Sequence, residues 1–301
     1  MSIPVVDLHC DLLAYLNGDR DKHSPEDEAS RCSLPLLKKG GVSFQALALF
    51  SETGKQPRKE FEGQLECYHK IKAMKGPQFV PAIENASGLL EEGESIDLLP
   101  QRFDQEKWLY VSITWKDENR FGGGDMTQVG LKEDGRRLLD YMGGKGVAID
   151  LSHSSDTLAE EIFNYLHKKG LKILPIASHS NFREVKMHPR NLPDSFAKEI
   201  IRMGGVIGIN FVRHFVGNEP DDFVRHIEHG LSLGGEDALA LGADFFGGIS
   251  IPAIEHLKPF YQSRYSNSSC YPAFYQLLET AFGQKQADKI FYKNSHILTN
   301  F

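Results

Sequence analysis

The sequence predicts an α/β fold of the (β/α)8, TIM-type barrel class with parallel strands. Three observations carry that prediction: eight short β-rich apolar runs, segments of helical period between them, and no nucleotide-binding glycine signature after an early strand. Alternating β and α elements imply parallel strands joined by right-handed crossovers, and eight such units suggest closure. An open doubly wound sheet is the rival fold. The lack of a G-x-G-x-x-G or P-loop after an early strand counts against it.

In chain order the expected strands are IPVVDLH (3–9), VSFQALALF (42–50), FVPAIE (79–84), WLYVSIT (108–114), VAIDLSH (147–153), ILPIASH (173–179), GVIGINF (205–211) and ALALGAD (238–244). Helical periodicity occupies 57–75, 130–143, 156–169, 194–203 and 221–235, several of these led by Ser, Asp or Pro. The segment 115–129 reads as an active-site loop after the fourth strand, and its Gly122-Gly123-Gly124 run as a flexible stretch near the substrate, since no Lys-Ser/Thr follows it to make a phosphate cradle. Beyond residue 245 the sequence suggests a polar loop, YQSRYSNSSC, and one or two closing helices. No repeat, low-complexity tract or linker divides the chain, so residues 1–301 are expected to form one domain.

Composition narrows the function classes. With 34 basic and 41 acidic residues the net charge is 34 − 41 = −7, which argues against binding a nucleic-acid backbone. The start, MSIPVVDLHCD, lacks the basic and apolar regions of a signal peptide, and no run approaches 18 uninterrupted apolar residues, so no membrane span is expected. Cys10, Cys32, Cys67 and Cys270 form no C-x-x-C pair and read as reduced thiols, which points to the cytoplasm. A homodimer is plausible for such a chain. Without a G-x-S-x-G elbow, serine hydrolysis has no support.

Chemistry collects at the strand ends. His9 and Asp11, two residues apart, project to one face and can share a cation. Glu84 ends the third strand, His153 the fifth, His179 the sixth and Asp244 the eighth. In a parallel barrel these ends meet at the C-terminal rim, where active sites of this fold lie. A lone strand-end His is usually a satisfied polar residue, but here that reading must hold independently at several ends. Imidazole and carboxylate ligands suit zinc or a related divalent ion, and the set exceeds what one catalytic zinc takes from protein. Two ions bridged by one carboxylate and a hydroxide are the economical expectation. Cys10, facing away from its neighbours, reads as a small buried apolar residue, and His226 and His229 as a solvated helix face.

The series VVDLHCD, PAIE, DLSH, ASHS followed by Arg190-Asn191, and GADF resembles the membrane (renal) dipeptidase family of zinc peptidases, with 26 residues from His153 to His179 and 11 more to Arg190. The resemblance runs from residue 5 to about 298. It implies two zinc ions, His9 and Asp11 on the first, Glu84 bridging, and His153 and His179 on the second. It also implies Arg190 gripping a dipeptide's terminal carboxylate and Asp244 handling the proton as the bridging hydroxide attacks, with Glu84 and Asp244 the catalytic acids. Read alone, Arg190 beside Asn191-Leu192-Pro193 fits a surface or helix-capping arginine equally well. Two positions depart from the family pattern: Trp115 stands where vertebrate members carry an oxyanion-stabilising His, and Phe215 where a substrate-gripping Tyr aligns loosely, with His214 or Arg213 as compensating candidates. Trp115 as plain core packing is the competing reading. Dipeptide hydrolysis, with a D-residue tolerated at the C-terminal position, is the leading expectation. A lactonase or deaminase of amidohydrolase type, and a non-catalytic ligand-binding barrel, are the alternatives.

Overall fold

Eight strands form one parallel sheet in the computed structural model, which describes residues 3–299. They are β1 (Val5–Cys10), β2 (Val42–Phe50), β3 (Gln78–Glu84), β4 (Tyr110–Ser112), β5 (Ala148–Asp150), β6 (Pro175–Ile176), β7 (Ile207–Ile209) and β8 (Leu239–Leu241). The order is β6-β5-β4-β3-β2-β1-β8-β7. Its two ends meet through a parallel bridge between Ala177 and Ile207, where Ala177 N–H donates to Val206 O (2.9 Å) and Gly208 N–H to Ala177 O (2.8 Å). The sheet therefore closes as the sequence predicts, leaving no free edge.

Helices alternate with the strands and cover the outside. The helix Asp156–Lys169 shows why: Ser155 accepts from Leu158 N–H at its start, Gly170 adopts the left-handed conformation at its end (φ +62°), and His167, Lys168 and Lys169 complement the C-terminal dipole. Its buried face, Leu158, Ala159, Ile162, Phe163 and Leu166, follows the helical period. Similar faces come from Pro57–Ile71, Glu133–Met142, Asp194–Arg202, Pro220–Ser232 and Tyr271–Phe282. Short helices at Leu12–Gly18 and Leu34–Gly40 were not expected from the sequence. No helix of the described residues is long and apolar enough to cross a membrane.

Inside the ring, Val6, Leu8, Phe44, Ala46, Val80, Ala82, Ala148, Ile176 and Ala240 pack as a separate core, with Leu298 joining it. This filled interior carries the rim residues on a rigid base. The alternation in β1 is broken near its end. From Asp7 to Cys10 the strand advances three residues while its partner advances two, from Gln45 to Leu47. That extra residue is a bulge, and it turns His9 to the rim although Leu8 already faces the interior.

Two expectations need correction. The glycine run is packed, not flexible: a Cβ on Gly122 would lie 2.7 Å from the Leu158 side chain, one on Gly123 2.4 Å from Val129 O, and one on Gly124 2.0 Å from Trp115 O. Only glycine permits that approach. His226 is not solvated either. It is fully buried, accepting from Phe182 N–H at Nδ1 (3.2 Å) and lying 3.1 Å from Val216 O at Nε2. It shares the apolar stripe of Phe223, Ile227 and Gly230, whereas His229 pairs with Asp194 Oδ1 at 2.7 Å.

Candidate metal centre

Because all eight strands are parallel, their C-terminal ends share one rim. His9 and Asp11 leave β1 there, and Glu84 is the last residue of β3. His153, His179 and Asp244 each stand three residues past the ends of β5, β6 and β8, at Asp150, Ile176 and Leu241. His153 and Asp244 adopt positive φ (+68° and +60°), a conformation costing about 1–3 kcal/mol that persists at sites where the surroundings enforce it.

These six residues converge. Three groups have ligand atoms within 4.8 Å of one another: His9, Asp11 and Glu84; Glu84, His153 and His179; and His9, His179 and Asp244. Glu84 joins the first two. Its Oε2 lies 3.4 Å from His9 Nε2, and its Oε1 lies 3.0 Å from His153 Nε2 and 3.8 Å from His179 Nε2. Asp244 Oδ1 is 3.8 Å and Asp11 Oδ1 3.9 Å from His9 Nε2.

Do these residues fit metal ions? His9 Nε2, His179 Nε2 and Asp11 Oδ1 are buried without a hydrogen-bond partner, and each faces the cluster. Buried polar atoms are rarely left so, and three converging orphans define a cation's place. The tautomers agree. Tyr110 donates its hydroxyl proton to Leu8 O (3.0 Å), so it accepts from His9 Nδ1–H at 2.7 Å and leaves Nε2 with a lone pair. Ser178 donates to Asp150 Oδ2 (2.8 Å) and accepts from His179 Nδ1–H at 2.6 Å, with the same result. Asp150 is buried and held by further donors, Ser112 Oγ (2.6 Å), Ser178 N–H (2.7 Å) and Ser152 N–H (3.1 Å). Asp7 accepts from the backbone N–H groups of His9 (3.3 Å) and Ala243 (3.0 Å), tying the ends of β1 and β8 together.

The electrostatics also call for positive charge. Burial opposes charge on His9, but Glu84, then Asp11 and Asp244, raise its pKa to about 10. Burial holds His179 far below the ordinary imidazole value, helped by His9 and Arg190, so it stays neutral, as a metal ligand must. Burial pushes Asp11 upward, with Glu84 adding to it. Asp244 is pushed up to about 6 by burial, against the pull of His9; its Oδ2 accepts from Asn210 Nδ2–H at 2.8 Å.

A cavity of about 240 Å³ opens over the cluster. Asp11, Glu84, His153 and Asp244 lie at its floor, with Arg190, Trp115, Phe215, Phe50 and Phe246 among its walls. Arg190 is 5% exposed and donates to His179 O and Ser180 Oγ (3.1 Å each), while its buried Nε has no hydrogen-bond partner among the described residues. Phe215 lies beneath its guanidinium at 5.7 Å, and Trp115 packs edge-on against Phe50 at 5.0 Å. The fold brings together His9, Asp11, Glu84, His153 and His179, the five residues read from the sequence as ligands, with Asp244 beside them. Sequence reasoning missed the supporting set Tyr110, Ser178, Asp150, Asp7 and Asn210, and it missed Asp125, whose carboxylate faces His153 Nδ1 at 3.5 Å.

A family model described as membrane dipeptidase, peptidase family M19, matches residues 1–295. A protein from the pqqA 5′ region of Klebsiella pneumoniae is 32% identical over 189 residues, 58% of this chain and 66% of that protein. A Schizosaccharomyces pombe protein named as an uncharacterized dipeptidase is 27% identical over 184 residues, 58% of this chain and 43% of its own length. The chain therefore spans less than two thirds of these relatives. Among solved structures, a metallo peptidase from Rhodobacter sphaeroides liganded with a phosphinate mimic of L-Ala-D-Ala superposes with a TM-score of 0.85 over 99% of both chains at 18% identity. At that identity the likeness is one of fold.

Proposed function

The chain belongs to the membrane dipeptidase family, peptidase family M19, and from that premise we propose that it hydrolyses dipeptides with two divalent ions, zinc by the chemistry of the ligands. His9, Asp11 and Glu84 would hold one ion, and Glu84, His153 and His179 the other. The observation that carries this reading is the single Glu84 carboxylate reaching both groups of ligand atoms, beside a buried guanidinium whose Nε is left without a partner. When bound, such a pair of ions supplies an activated water at neutral pH and polarises the scissile carbonyl.

The protein's own residues do the rest. Asp244, adjoining the ligands, accepts the proton of the attacking water and returns it to the leaving amine. Asn210 Nδ2–H holds Asp244 Oδ2 at 2.8 Å, which leaves Oδ1 turned toward the ligands. Arg190 presents a planar fork to the substrate's terminal carboxylate and is itself aimed by Ser180 Oγ and His179 O. Trp115, Phe215, Phe50 and Phe246 exclude water from the reacting bond. A D-residue at the second position is included, in keeping with the L-Ala-D-Ala mimic bound by the Rhodobacter sphaeroides peptidase.

Elemental analysis of purified protein, run beside a panel of L,L and L,D dipeptides, tests the proposal. Two ions per chain and turnover that a chelator abolishes and zinc restores are expected; turnover after verified metal removal would contradict it. Arg190→Met should raise KM about 10–100-fold with a smaller change in kcat, the scale of a lost charge-assisted hydrogen bond. An unchanged KM would favour a lactone, amine or other small substrate lacking a terminal carboxylate.

A further inference from the structure

Of the three imidazoles at the centre, two are oriented by hydroxyls of the barrel, Tyr110 and Ser178. The third, His153, has a different environment. We propose that Asp125 is its positioning residue, so that the ion shared by Glu84, His153 and His179 depends on a loop carboxylate while the ion at His9, Asp11 and Glu84 does not. The inference rests on the two-ion reading above.

His153 Nδ1 and Asp125 Oδ1 are both buried, both without a hydrogen-bond partner, and they face each other at 3.5 Å. Two orphans so placed are completed by a slight approach. The backbone already holds them in register. Asp125 N–H donates to His153 O (2.8 Å), Gly124 and Ser154 form an antiparallel bridge, and Thr114 Oγ donates to His153 O (3.3 Å). The close packing of Gly123 and Gly124 fixes the path of the loop that delivers Asp125.

The chemistry requires an acceptor here. His153 Nε2 points at Glu84 Oε1, 3.0 Å away, which is where a cation shared with His179 would sit. An imidazole that gives its Nε2 lone pair to a cation carries its proton on Nδ1, and a carboxylate on that proton fixes the ring and raises its basicity. Asp125 is the carboxylate in place. Its side chain also borders the cavity, so the loop that orients His153 is part of the substrate's wall.

The test is metal content by elemental analysis across graded chelator concentrations, for wild type, Asp125→Ala and Asp125→Asn. Wild type is expected to retain two ions. Asp125→Ala should release one ion at about 10–100-fold lower chelator, with the other released as in wild type; Asp125→Asn, which keeps an acceptor oxygen, should fall between. Cobalt-substituted protein should change the visible spectrum of one site alone, and the metal-free Tm of both variants should match wild type. Identical release curves, parallel loss of both ions, or a lowered metal-free Tm would each overturn the assignment. A wild-type chain holding a single ion would overturn the two-ion reading and this inference with it, before any variant is made.

Discussion

Glu84→Gln is expected to remove at least one ion and to lower kcat/KM by about a thousandfold or more. The carboxylate's two oxygens reach different partners, Oε2 to His9 and Oε1 to His153 and His179, so no other side chain among the described residues serves both groups of ligands. An amide of the same shape keeps one acceptor oxygen and turns two N–H donors toward the other ion's place, which repels a cation instead of binding it. A two-ion clamp is worth several kcal/mol of transition-state stabilisation, and each 1.36 kcal/mol is about tenfold in rate. The fold should survive, because glutamine fills the same volume and the barrel interior below it is a separate apolar core. Far-UV circular dichroism and metal content read together check this. A folded Glu84→Gln protein with two ions and wild-type turnover would refute the shared-carboxylate arrangement.

How much of this was legible in the residues alone depends on what kind of physics each feature uses. All eight strands were, because a β-rich apolar run between helical periods is a local signal, and Glu84 stood out as an acid ending such a run. The strand lengths were not: WLYVSIT became Tyr110–Ser112 and ILPIASH became Pro175–Ile176. The residues beyond those ladders leave the sheet to turn over the rim, and the positive φ of His153 and Asp244 has no counterpart in residue type. The β1 register shift against β2 likewise has no marker in VVDLHCD itself. Tyr110, Ser178 and Asp150 look like ordinary strand residues, although an acid inside the apolar run VAIDLSH was a usable hint. His226 was readable, since 223, 226, 227 and 230 form one helix stripe. Asp125 was hidden because glycines suggested looseness where they in fact allow close packing.

Asp244→Asn should leave both ions and KM nearly unchanged and lower kcat by about 10²–10⁴-fold, the usual worth of a positioned general base. The substitution is clean for a structural reason. Asp244 sits at φ +60°, which asparagine tolerates better than most residues, and an amide oxygen can still accept from Asn210 Nδ2–H. What is lost is the negative charge next to His9 and the ability to take a proton. The pH profile separates this role from simple packing. Burial raises the Asp244 carboxyl to about 6, and the proposed cations, once bound beside it, would favour the charged form and lower it again. A base must be deprotonated to act, so wild-type kcat should fall as pH drops through a value at or below about 6, and that acid limb should vanish from the residual activity of Asp244→Asn. If the variant retained full kcat with two ions bound, or if it kept the same acid limb, the proton would have to travel through a group other than Asp244.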